Sequence, residues 1–279
     1  MSDRNRDPGV IPLRSNDMYH VSVAPRRLLT YACLLFLLAG CAREVPTLEP
    51  ADMPASVIVE RLEKGEEQLR SFRALGSIKV RGEKQRWSGR AFVLVQLPSS
   101  LRLEVLNFFG QPVLYAASDG SEFVIWQPGD NRAYQGPAAR GTLARLIEFP
   151  LRDHEAVLLL AGVVPTWDQG EQKLFKLSDT GGMLLKMDDT PSQLTQKVWL
   201  EGENGIATKI ERLRGGKREL EATFSDFTVI GGWSYPRSIV MEGVKTRVAI
   251  HYEQIAINEH VDQSVFHLSL PKGVEIIPW

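Results

Sequence analysis

The sequence predicts a mainly β (α+β) fold: one strongly curved antiparallel sheet, or incomplete barrel, of about eleven strands, with about three α-helices closing its open side. Three observations carry this. From residue 71 onward, short runs of alternating apolar and polar residues recur between clusters of Gly, Pro, Asn, Asp and Ser, the mark of strands joined by tight turns. Connections of roughly two to five residues leave only antiparallel neighbours. Helical periodicity surfaces at only three places, 55–70, 138–149 and 153–162.

The N-terminus stands apart from this pattern. Arg26 and Arg27 precede an apolar run from Leu28 to Leu38, followed by the small residues Ala39 and Gly40 and then Cys41. A basic segment, an apolar segment and a small-residue site make a secretory signal peptide over residues 1–40. The run is shorter than the ~20 residues a transmembrane helix needs. Met1–Asn16 is an unusually long polar extension for such a leader, and Met18 offers a conventional start. Leu38-Ala39-Gly40-Cys41 resembles the bacterial lipobox, which implies cleavage before Cys41 and its lipidation.

Residues 41–54 hold three prolines and read as an extended tether. Removing residues 1–40 takes five Arg and three Asp from a chain of 33 basic and 34 acidic residues, leaving a mildly negative domain. That balance gives no basic face for nucleic acid. Cys33 lies in the leader and Cys41 carries lipid, so no disulfide or thiolate chemistry is expected. One domain over 55–279 must rely on its apolar core.

Within that domain, residues 55–70 form an amphipathic helix with Ile58, Leu62, Gly65 and Leu69 on one face. Five strands follow, from "FRALGSIKVRGE" to "EFVIWQP". In "SLRLEVLN", Leu101, Leu103 and Val105 alternate with Arg102 and Glu104, whereas "AFVLVQL" is apolar on both faces and calls for cover on each. "AARGTLARLIEF" then reads as a helix stopped by Pro150. "DHEAVLLLAG" reads as another, with Asp153 as N-cap and Gly162 as stop. Its Val157–Leu160 run is apolar nearly all round, so it is buried or covers a cavity. Seven more strands run to residue 258, and the end, "QSVFHLSLPKGVEIIPW", is short and apolar.

Catalytic patterns are missing from this reading. There is no nucleophile elbow, Walker loop or dinucleotide fingerprint. His154, His251, His260 and His267 match no metal-ligand spacing, and Asp188 and Asp189, adjacent on a strand, point to opposite faces. No enzyme activity, cofactor or metal is expected. "NFFG", residues 107–110, is the exception to ordinary turn chemistry: Asn107 and Gly110 suit a reversal, but Phe108 and Phe109 do not belong in water.

The run "SLRLEVLNFFGQPVLYAASDGSEFVIW", continued by "LARLIEFPLRDHEAVLLLAGVVP" and "FHLSLPKGVEI", resembles the LolB family of outer-membrane lipoprotein receptors and, more distantly, the LolA carriers. The resemblance covers most of residues 55–277 and is weakest over about 166–217. It implies an incomplete antiparallel barrel closed by helices around an apolar cavity. It also implies a monomer, lipid-anchored at the inner leaflet of the outer membrane and facing the periplasm. There it would accept acyl chains of lipoproteins, or phospholipid, from a periplasmic LolA-like carrier and deliver them to that membrane. Phe108 and Phe109 fall at the family's protruding membrane-insertion loop, with an aromatic where the family has an aliphatic residue. The cavity-lining candidates are Phe92, Leu94, Leu103, Val105, Phe123, Ile125, Leu146, Leu158 and Leu159. The alternative is an envelope assembly or scaffold lipoprotein that uses the same fold to hold a protein partner.

Overall fold

The structure is a computed structural model that describes residues 48–83, 86–138, 149–167, 170–178, 180–202 and 205–278. All of them belong to the compact unit Pro46–Trp279. The leader, Cys41, Leu146 and nearly all of the predicted helix over 138–149 lie outside the described residues.

In chain order the elements are β1 (Leu48–Pro50), α1 (Ala55–Gln68), β2 (Ser71–Arg81), β3 (Arg86–Gln96), β4 (Ser100–Leu106), β5 (Pro112–Ser118), β6 (Glu122–Gln127) and β7 (Arg132–Pro137). Then come α2 (Asp153–Leu160), β8 (Glu171–Leu177), β9 (Met183–Asp189), β10 (Leu194–Glu201), β11 (Ile206–Arg214), β12 (Lys217–Ile230), β13 (Trp233–Gly243), β14 (Arg247–Ile257) and β15 (Glu275–Pro278). All fifteen strands join one open sheet in the order β1-β8-β9-β10-β11-β12-β13-β14-β2-β3-β4-β5-β6-β7-β15. Neighbours are antiparallel except β15, which runs parallel to β7.

The strand count exceeds the predicted eleven because β1, β7 and β15 were not legible as strands. Each is short, and each contains a proline. Two of them are the sheet's edges, where a missing N–H costs nothing. The sheet therefore reaches back to Leu48, into the segment predicted as an extended tether. Among the described residues there are two α-helices.

Parity sorts the two faces of the sheet. Leu101, Leu103 and Val105 of β4 pair with Val95, Val93 and Ala91 of β3, and all face the core. The opposite face of β3–β6 is covered as well. A 3-10 turn, Gln263–Phe266, lies against β4, with Phe266 buried, Gln263 Nε2 donating to Gln96 Oε1 at 2.7 Å and Arg102 donating to the Val265 carbonyl. This is the double cover that the apolar run of β3 required.

Helix α2 sits inside the core rather than on it. Glu155 through Ala161 are all buried. It begins one residue earlier than predicted, with Arg152 as N-cap and Asp153 in the first turn. It ends in a Schellman motif: Val163 N–H donates to Leu158 O and Gly162 N–H to Leu159 O. Gly162 is needed twice, for φ = 73° and because a Cβ there would stand 2.4 Å from the ring of Pro236.

Candidate functional site

The β4–β5 turn is held from within. Asn107 N–H donates to Gln111 O (2.8 Å) and Gly110 N–H to Asn107 O (3.0 Å), with Gly110 at φ = 75°. The Asn107 Oδ1 accepts from the N–H groups of Phe109 (2.9 Å) and Gln111 (3.0 Å). Asn and Gly thus make the reversal, leaving the two middle side chains nothing structural to do. Phe108 is 96% exposed and Phe109 83%, and the two rings meet edge to face at 5.6 Å. Holding two Phe side chains in water forgoes about 1.5–3 kcal/mol each.

A second feature is a cavity of about 380 Å³ between the helices and the sheet. Its walls are Arg61, Leu62 and Gly65 of α1, Gly162–Val164 beyond α2, Ile206 and Ala207 of β11, Phe227 of β12, and Trp233 and Tyr235 of β13. Gly65 opens the space: a Cβ there would meet Trp233 at 3.3 Å. Burial pushes the Tyr235 hydroxyl up from its ordinary pKa. Polar groups, among them Arg61, Ser234 and Tyr235, share this wall about equally with apolar side chains.

None of the sequence-predicted lining residues that the structure describes borders that cavity, and Leu146 lies outside the described residues. Leu103, Val105, Phe123 and Ile125 face the core, and Leu158 and Leu159 lie on buried α2. They are packed among neighbours in the core, where α2 is itself buried. Phe92 and Leu94 are on the wrong face: they pair with Glu104 and Arg102 and point away from the core side of β3. The sequence held a signal for this cavity in Gly65, a glycine within the apolar stripe of α1, which leaves room where a side chain would stand.

Polar chemistry in the core centres on Arg212. Its guanidinium meets Glu155 through both carboxylate oxygens at 3.0 Å and donates to Gln196 Oε1 at 2.9 Å. Gln196 Nε2 in turn donates to Pro165 O at 2.7 Å, and Arg152 N–H to Glu155 at 2.8 Å. Burial acts to raise the Glu155 pKa, but the charge and hydrogen bonds of Arg212 outweigh it and hold the carboxyl below its ordinary value. The arrangement clamps α2 and its exit to β10 and β11. Tyr252 adds a bond from its hydroxyl to Leu160 O at 2.7 Å. Parity would have found Arg212, which shares a strand face with buried Ile210.

The histidines do not converge. His251 shares a hydrogen bond with Ser238 on the surface, and His267 lies 3.7 Å from Asp119. Among the described residues no group of His, Cys, Asp and Glu is placed to hold a metal ion. Asp188 accepts from Thr195 and pairs with Lys186, both at 2.6 Å.

No family model matches the sequence, and no match among curated proteins reaches significance. Solved structures do share its fold. An outer membrane lipoprotein-sorting protein domain from Vibrio parahaemolyticus superposes with a TM-score of 0.51 at 10% identity, over 76% of this chain and 95% of that one. A LolA superfamily protein from Nitrosomonas europaea gives 0.51 at 14% identity, over 77% and 98%. A DUF1329 family protein from Desulfovibrio piger gives 0.50 at 8%, over 77% and 97%. At these identities the likeness is one of fold: the chain has the curved, open antiparallel sheet seen in LolA-superfamily and lipoprotein-sorting structures.

Proposed function

We propose that this chain is a lipid-anchored envelope protein that takes up acyl chains of lipoproteins or phospholipids from a periplasmic carrier and passes them to the outer membrane. The observation that carries this reading is the turn 107–110, which exposes Phe108 and Phe109 almost fully while its own hydrogen bonds make their presence structurally unnecessary. Exposed apolar side chains at such a tip need a compensating environment. A bilayer interface or an acyl chain supplies one. The cavity between α1 and β11–β13 supports the same reading. Its volume is at the low end for ligand sites, which suits a single acyl chain.

An acyl chain released into water loses about 0.8 kcal/mol per methylene. The apolar part of the cavity keeps some of that, and a membrane restores all of it. Transfer then runs downhill by differential affinity, with no chemical step. The lipidated Cys41 would hold the protein at its target membrane, and the fold likeness to a lipoprotein-sorting domain points the same way.

Replacing Phe108 and Phe109 together with Glu tests the role of the turn. The variant should fold normally, because neither ring packs on the body, and should lose delivery of a lipoprotein from a loaded carrier to membranes. Undiminished delivery would refute the assignment of the turn.

A further inference from the structure

We infer that the face of the sheet beside the Phe108–Phe109 turn is a docking surface for anionic lipid headgroups. The starting point is an unfavourable arrangement. Arg81 of β2 lies directly opposite Arg247 of β14 on one side and Arg86 of β3 on the other, so three arginines stand side by side across three strands. All three are exposed. Strands are spaced about 4.8 Å apart, so the row spans only ~10 Å. Like charges directly opposite one another destabilise a sheet.

Two further cations share the face. Lys79 is two residues from Arg81, and Arg90 is four residues from Arg86; both are exposed. Carboxylates balance the row only at its margins. Arg247 pairs with Glu242, and Arg90 comes within 3.6 Å of Glu253. Lys245 and Glu83 meet at 2.9 Å and tie the β13–β14 and β2–β3 hairpin tips together. Neither Arg81 nor Arg86 has an ion-pair partner among the described residues.

This basic face runs into the aromatic turn. Arg90 pairs with Leu106, the residue before Asn107. On the other flank the β13–β14 tip presents Val244 at 79% exposure. Cations interleaved with exposed apolar side chains match a bilayer interface, where anionic headgroups meet the first methylenes. Free phosphate would satisfy the arginines but leave Phe108, Phe109 and Val244 in water. The occupant that fits both halves is an anionic membrane surface.

The inference rests on the membrane-facing part of the proposed function and is independent of acyl-chain uptake, so failure of uptake leaves it standing. It is tested in the full chain with Cys33→Ser and Cys41→Ser, carrying an environment-sensitive fluorophore on Val244→Cys or, as a control, on Ser121→Cys. Vesicles of phosphatidylcholine are compared with vesicles in which about a third of the lipid is phosphatidylglycerol. The label at 244 should shift to the blue with anionic vesicles, weakly with neutral ones and less at high salt. The label at 121 should not shift.

Adding Arg81→Gln and Arg86→Gln should weaken anionic-vesicle binding by about fivefold per charge removed. It should leave thermal stability equal or higher, because repulsion is relieved. Equal response to both vesicle types, unchanged binding by the double Gln variant, or a shift at 121 instead of 244 would each overturn the proposal. So would a chain that binds a protein partner through this face and no vesicle.

Discussion

Asn107 and Asp119 perform similar work at neighbouring turns, and only one of them is tied to pH. Asn107 organises the β4–β5 turn as a neutral acceptor. Asp119 organises the β5–β6 turn as an anion, its Oδ1 accepting from Ser121 N–H (2.7 Å), Ser121 Oγ (2.7 Å) and Glu122 N–H (2.8 Å). The Glu122 N–H bond, with those from Ser121, lowers its pKa from 3.8 to about 2. A carboxyl with a lower pKa folded than unfolded stabilises the fold fully above the unfolded value, and that contribution is lost as pH falls. The loss should fall between about 3.8 and about 2. Asp119→Ala should cost about 1–2 kcal/mol at neutral pH. Urea denaturation across that acid window should show a flatter profile for the variant. At this scale the sequence was informative wherever a residue acts locally: "NFFG" announced a turn with misplaced aromatics. It was silent on which rings are exposed, because exposure is set by neighbours distant in the chain.

Among the elements, α2 takes the first of the two roles its apolarity allowed, burial rather than cover for a cavity. Its uniform apolarity predicted burial. Its role as core filler depends on Arg212 and Gln196, which reach it from β10 and β11. Replacing Arg212 with Met strands a buried carboxylate, and breaking such a pair from one side costs about 3–5 kcal/mol. The double change Arg212→Met with Glu155→Leu removes both charges and should recover most of that loss. Equilibrium unfolding of the single and double variants decides this, and an equal loss in both would mean that packing rather than charge holds α2. Strands β2–β6 and β8–β14 were legible because each has enough residues for period-two alternation to emerge. β1, β7 and β15 were not: three to six residues with a proline carry too little pattern, and their pairing is fixed by register with distant strands.

At the scale of the whole molecule, the sheet keeps the aromatic turn and the cavity apart. Strand direction puts the Phe108–Phe109 turn at the end of β4, the same end as the β13–β14 tip, whereas the cavity lies at the start of β11 and β13. The turn is therefore not the rim of this cavity, and membrane contact and acyl-chain binding are assigned to different ends of the strands. Alternation alone identifies a core face but cannot say where that face is filled and where it stays open, since α2 and Gly65 decide that from outside the sheet. Uptake of an acyl chain is the central claim, and native mass spectrometry of the protein recovered from a bacterial envelope tests it most directly. A bound acyl-bearing lipid is expected, and it should be lost when Ala207→Trp fills the cavity, with the fold retained by circular dichroism. A wild-type protein that carries no lipid, and takes no acyl chain from a loaded carrier, would contradict it.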